Sequence, residues 1–173
     1  MYLMLGTRPD LAYSVSFLSQ TLATASTEDV VRLKRVLRYL AGTCDLGIIY
    51  RPKLCSDILD CYSDADFGGF NKTGRSTSDV LITHADGAIS WLSQRQAVTA
   101  TSTTEAELVA ATEAVKEIVC VDFRGMRKLS EVPVLKVDNL ATVKLAHNPE
   151  FHHRTKHRKR KYFFVREKVL EGD

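Results

Sequence analysis

The stretch YSDADFGG, residues 62–69, sets two carboxylates into the end of an otherwise apolar run and follows them with a glycine turn. In an extended chain alternate side chains share a face, so Asp64 and Asp66 point the same way. Like charges on one face repel unless a cation or solvent separates them. Ordinary strand-end punctuation accounts equally well for this stretch taken alone, because Asp and Gly are common turn residues. What decides between the two is what the rest of the chain brings beside it.

Around that stretch the apolar pattern is short and β-like: ILDCYSDA (58–65), SDVLITH (78–84) and GAISWLSQ (87–94), separated by the turn-rich segments GGFNKTGR and ADG. These predict three antiparallel strands. Then Leu108, Ala111, Val115 and Ile118 recur at helical spacing, predicting a helix over 104–121. VPVLKVDNLATVKLA (132–146) reads as a buried strand ending at Asp138, with a helix from about Asn139. The order β-β-β-α-β-α is an α/β arrangement, a mixed sheet with flanking helices.

Upstream, Thr7 as cap, Pro9 in the first turn and Leu11, Val15, Leu18 and Leu22 on one face predict a helix over 7–24. A second helix is expected from Ser26 or Thr27 to Leu40, with Val30, Leu33, Leu37 and Leu40 as its apolar stripe and Gly42 as its stop. Its other side carries Arg32, Lys34, Arg35 and Arg38, a face that water usually covers and a phosphate backbone could also meet. YRPKLCSD reads as a linker, giving a small helical segment over 1–54 and an α/β domain over 55–173.

At 173 residues, 45% hydrophobic and 26% charged, the chain has an ordinary globular composition. No apolar run approaches the roughly 20 residues of a membrane span. The opening MYLMLGTRPD lacks the features of a signal peptide, so an intracellular, cytoplasmic location is expected. Cys44, Cys55, Cys61 and Cys120 form no CxxC pair and read as buried free thiols. The net charge of +3 is uneven: residues 151–173 carry +5, which leaves −2 for residues 1–150. In that tail Arg154, Lys156, Arg158, Lys159, Arg160 and Lys161 precede Tyr162, Phe163 and Phe164, a composition suited to phosphate backbones as well as to a solvated basic helix. His153 and His157 are one helical turn apart, but nothing else nearby has the spacing of a zinc site.

The element order answers the opening question. Asp64 ends the first strand, Glu107 lies on the first turn of the helix, and Asp138 ends the next strand, so the three can converge. Each has a plainer reading: Thr104-x-x-Glu107 as a capping box, Asp138-Asn139 as a strand-to-helix junction. Together they make the oxygen-rich set that divalent cations need for phosphodiester hydrolysis.

Through YLMLGTRPDLAYSV, LKRVLRYLAGT, DLGIIY, YSDADFGG, GRSTS, GAISWLSQRQ, TSTTEAELVAATEA, VDNLATVKLA and NPEFHHRTKH, the chain resembles the ribonuclease H region of copia-type retrotransposon Pol polyproteins, preceded by the end of their reverse transcriptase. The resemblance implies a ribonuclease H-like fold and cleavage of the RNA strand of RNA–DNA hybrids, with two Mg²⁺ ions, or Mn²⁺, held by Asp64, Glu107 and Asp138. Asp66 and Glu105 are neighbours that spacing does not separate from the ligands. Arg75 and Ser76 of GRSTS, with Thr101, Ser102 and Asn139, are the implied contacts to substrate and its 2′-hydroxyl, and the basic tail is a further one. The implied partners are the hybrid and the remainder of a Pol polyprotein, in a virus-like particle for an intact element.

The chain departs from the family pattern at Asp79, usually Gly, at Phe67, often Trp, and at Cys120, near a usual Trp. Family members continue past Asp173 into a strand and helix that supply a fourth carboxylate. A decayed or co-opted fragment that binds nucleic acid without cutting it is therefore the alternative expectation.

Overall fold

The computed structural model describes residues 2–51, 59–70, 73–123 and 133–147. It divides into two compact units, Met1–Tyr50 and Arg51–Asp173. The expected boundary at 54/55, Cys55 and the basic tail lie outside the described residues.

In the first unit a short α1 (Tyr2–Gly6) precedes the expected helix over 7–24, which is itself broken into a 3-10 turn (Pro9–Leu11), α2 (Ala12–Ser19) and a second 3-10 turn (Leu22–Thr24). Pro9 explains the first break. The residue before a proline is pushed out of the helical region, and Arg8 sits at φ −129°, ψ 76°. Its buried guanidinium binds Asp10 and donates to the Thr43 carbonyl at 2.9 Å and hydroxyl at 2.8 Å, which fixes the chain there. The second break follows Ser19 and Thr21, whose hydroxyls donate to the Ser16 and Leu18 carbonyls and so offer the backbone a turn instead of another helical step. Leu22 is thereby left exposed and does not join the buried face.

α3 (Thr27–Gly42) forms as its signals predict. Ser26 and Asp29 make a reciprocal capping box, and the Ser26 bonds hold the Asp29 carboxyl at about 2. Val30, Leu33 and Leu37 of the expected apolar stripe are exposed. Arg32 of the basic side pairs with Asp29 at 2.9 Å.

The second unit is α/β. β1 (Asp60–Phe70), β2 (Arg75–His84) and β3 (Gly87–Arg95) form an antiparallel meander, α4 (Thr103–Phe123) crosses the sheet, and β4 (Val134–Val137) returns parallel to β1 before α5 (Leu140–His147). The sheet order is β3-β2-β1-β4. Thus the three antiparallel strands and the added parallel strand are as expected, in a four-stranded mixed sheet with flanking helices. β1 and β2 run beyond their apolar segments because pairing continues through a register shift between Asp66 and Phe70, where Gly68 adopts φ +68°. β2 and β3 join through Ala85 and Asp86, both at positive φ.

Alternation assigns the faces. Cys61 and Ser63 of β1 and Val80 and Ile82 of β2 are buried, and Ala114, Ile118 and Val121 of α4 pack on this side with Leu135 of β4. Ala106, Ala110, Ala111 and Ala114 are nearly or wholly inaccessible, so small side chains let α4 lie close to the sheet. The opposite face of β1 presents Tyr62, Asp64 and Asp66. Of the described cysteines, which are free thiols, only Cys61 is buried, its thiol pushed up to about 12 by burial. Cys44 and Cys120 are exposed, contrary to expectation.

Candidate metal centre

β1 and β4 pair from Asp60↔Val134 to Ser63↔Val137, and β4 then ends. One further step in that register would set Asp64 beside Asp138, where the chain turns away toward α5. The fork leaves the edge of β1 open at Ala65, and Glu107, on the second turn of α4, reaches into it: the Ala65 N–H donates to Glu107 Oε1 at 3.3 Å. Oxygens of Asp64, Glu107 and Asp138 all lie within 4.8 Å of one another.

The electrostatics follow from this geometry. Glu107 is only 6% exposed, while Asp64 and Asp138 are exposed. Burial first, then the charges of Asp138 and Asp64, push the Glu107 carboxyl up to about 7. Its Oε2 is buried and has no hydrogen-bond partner. A buried acceptor left unpaired is costly, and three converging oxygens without a cation among the side chains form an unbalanced negative site. A hard divalent cation fits both features, since such ions take carboxylate oxygens as ligands.

The capping expectation at α4 is corrected. The N–H of Glu105 donates to Ser102 Oγ at 3.2 Å, and Glu105 Oε2 accepts from the Thr101 N–H at 2.6 Å and hydroxyl at 2.9 Å. The cap is therefore set by Ser102 and Glu105, two residues before Thr104 and Glu107, and Glu107 is left to face the site. The same bonds separate Glu105 from the ligand set. Asp66 is separated too: its carboxylate lies where a Cβ on Gly69 would project. Asp79 of β2 pairs in register with Asp64 of β1, and burial, then the charges of Asp64 and Asp66, raise its carboxyl.

No protein-family model matches the chain. It is 37% identical over 172 residues, 98% of its length, to the retrovirus-related Pol polyprotein from transposon TNT 1-94 of Nicotiana tabacum. It is 40% identical over 169 residues, 96% of its length, to that from transposon RE2 of Arabidopsis thaliana. The chain is a homologue of transposon Pol polyproteins. It spans 13% and 12% of the lengths of those two relatives. A shorter relative, secreted RxLR effector protein 161 of Plasmopara viticola, is 41% identical over 127 residues, 73% of this chain and 89% of that protein.

In this Pol homologue the expected substrate-binding residues are placed variously. Ser76 is fully buried, its hydroxyl accepting the Gly68 N–H at 3.1 Å, so it holds the β1 bulge. Thr101 and Ser102 cap α4 through the bonds above. The Asn139 side-chain oxygen caps α5, accepting from Ala141 N–H at 2.9 Å and Thr142 N–H at 3.2 Å. Arg75 stands opposite Phe70 at the far end of the hairpin. The six basic tail residues, Arg154, Lys156, Arg158, Lys159, Arg160 and Lys161, lie outside the described residues.

Sequence reading missed Gln96. It is buried, and its amide nitrogen donates to Ser78 Oγ and to the Ala106 carbonyl, each at 2.9 Å, while its own N–H donates to the Ser76 carbonyl at 2.8 Å. These bonds tie the start of α4, next to Glu107, onto β2. A polar residue after SQR carries no periodic signal, so nothing local marks it as a latch. Among the described residues no helix is long and apolar enough to cross a membrane.

Proposed function

We propose that the Arg51–Asp173 unit is a ribonuclease H-type endonuclease that hydrolyses the RNA strand of RNA–DNA hybrids, in the context of a Pol polyprotein. The observation that carries this reading is the fork between β1 and β4, where carboxylate oxygens of Asp64, Glu107 and Asp138 lie within 4.8 Å of one another and the buried Glu107 has one oxygen without a hydrogen-bond partner. The motif resemblance and the Pol relatives support it.

Asp64, Glu107 and Asp138 are the residues that would hold Mg²⁺ or Mn²⁺. Bound divalent cations supply the positive charge that activates water and offsets charge on the phosphate. The chain's own part is preorganisation. Ala65 N–H and the Gln96 latch fix Glu107, the body of β1 fixes Asp64, and the end of the parallel strand β4 fixes Asp138. With its carboxyl raised to about 7, Glu107 is partly protonated near neutral pH while the charges around it are unbalanced, and it releases that proton when they are offset. Asn139, adjacent to Asp138 and steadied by its cap on α5, presents its amide nitrogen as the donor assigned to the 2′-hydroxyl.

The test is cleavage of a hybrid with separately labelled strands by the purified full chain in Mg²⁺ or Mn²⁺. Cutting of the RNA strand alone, abolished by chelator and by Asp64→Asn, is expected. Hybrid binding with no metal-dependent cutting would replace this reading with a non-catalytic nucleic-acid-binding one.

A further inference from the structure

Two residues before each aspartate of the site, on the same exposed face, stands a second pair of side chains. Tyr62 precedes Asp64 along β1 and Lys136 precedes Asp138 along β4, and the two are directly paired in register. The Lys136 ammonium lies over the Tyr62 ring, 4.9 Å from its centroid, donates to the Tyr62 hydroxyl at 3.2 Å, and donates to Asp60 Oδ1 at 2.8 Å. Tyr62 is 40% exposed and the Lys136 side chain 49% exposed.

We propose that Lys136, steadied on Tyr62, is a positioning residue that takes a backbone phosphate neighbouring the one at the carboxylate site. This rests on the hybrid-cleaving reading. The strand rise of about 3.3 Å per residue puts Lys136 about 7 Å from Asp138 along the chain, a separation comparable with one step of a nucleic-acid backbone. A strand lying over Asp64 and Asp138 along β1 and β4 therefore passes over Lys136 within a nucleotide or two. The surroundings there are acidic, with Asp60, Asp64 and Asp138 at least partly exposed beside Lys136, so a lysine among them offsets repulsion of the incoming phosphate.

The Lys136–Asp60 pair does not prevent this. It is half exposed on both sides, and such pairs hold their partners weakly. A phosphate oxygen can replace the Asp60 oxygen while the ring of Tyr62 keeps the ammonium in place. Asp60 then acts as a competitor, holding Lys136 until substrate arrives.

The experiment measures equilibrium binding of a labelled RNA–DNA hybrid to the full chain in Ca²⁺ over a range of salt, for wild type, Lys136→Met, Lys136→Arg and Asp60→Asn. Lys136→Met should raise Kd roughly threefold to tenfold at low salt and reduce the slope of log K against log salt by about one. Lys136→Arg should keep the wild-type slope, and Asp60→Asn should tighten binding. A neutral methylphosphonate at the phosphate that Lys136 takes should remove the difference between wild type and Lys136→Met. An unchanged slope in Lys136→Met overturns the proposal, as does unaltered binding in Asp60→Asn. If wild type cuts hybrid in Mg²⁺ and the slope is unchanged, only this assignment falls. If wild type neither binds nor cuts, both readings fall.

Discussion

The backbone N–H of Ala65 donates to Glu107 Oε1 at 3.3 Å across the fork between two parallel strands, while Glu107 Oε2 has no partner. One oxygen of a buried carboxylate is thus anchored beside Asp64 and the other is left without a partner, in a residue whose carboxylate converges with those of Asp64 and Asp138. From that relation come the first two expectations.

Cation affinity should depend on pH through Glu107. Its carboxyl is raised from 4.5 to about 7 in the folded chain, so a cation entering below pH 7 must displace a proton. Calorimetry with Mn²⁺ should show affinity falling by up to about tenfold per pH unit below 7 and levelling off above it. Without cation the stability effect has the opposite sign. The raised pKa favours the fold fully below pH 4.5, and that contribution is lost as pH rises through 7. Urea midpoints for the cation-free chain should therefore fall over that window, and Glu107→Gln should flatten the fall.

Neutralising a neighbour should move Glu107 itself. Asp138→Asn and Asp64→Asn each remove a charge that raises the Glu107 carboxyl, so its titration, followed by NMR, should shift down in both. In cleavage assays each change should cost more than about 100-fold, the scale for losing a preorganised electrostatic partner. A normal cleavage rate in Asp138→Asn would remove Asp138 from the centre.

Gln96 should matter twice. Gln96→Leu leaves the Ala106 carbonyl and Ser78 hydroxyl without their buried donor, a loss of about 1–3 kcal/mol in unfolding free energy. At matched folded fraction, Mn²⁺ affinity should also fall, because the start of α4 is no longer tied to β2. Stability loss with unaltered affinity would confine Gln96 to packing.

The β2–β3 turn offers a stabilising change. Ala85 holds φ +50° and Asp86 φ +64°, the pattern of a two-residue hairpin turn in which Ala is strained. Ala85→Asn should raise stability by about 1 kcal/mol, read as a higher urea midpoint at unchanged cleavage rate, whereas Ala85→Val should lower it.

The basic tail should supply much of the nonspecific affinity, since residues 151–173 carry +5 and the rest of the chain −2. Deleting residues 152–168 should weaken hybrid binding and flatten its salt dependence by about 0.9 for each phosphate no longer neutralised. Equal affinity and slope after deletion would sink this expectation.

Local chemistry made much of the second unit legible in its sequence. Period-two runs gave β1 to β3, the Ala-rich helical repeat gave α4, and Asp138-Asn139 marked the end of β4, because burial of one face imposes each period on its own segment. Ser26 and Thr27 likewise marked the start of α3. The first helix was misread because Pro9 and the Arg8–Thr43 bonds act against periodicity, and Thr43 is 35 residues away. Three carboxylates at plausible ends could be named from sequence, but each also had a local use as cap or turn. Only the tertiary structure separated these, by giving the α4 cap to Ser102 and Glu105 and by ending β4 one residue short of Asp138. It also decided that Glu107 is buried with a raised pKa, that Gln96 latches the helix, and that Lys136 rests on Tyr62. Those properties depend on pairing and burial between segments distant along the chain, and no local pattern encodes them.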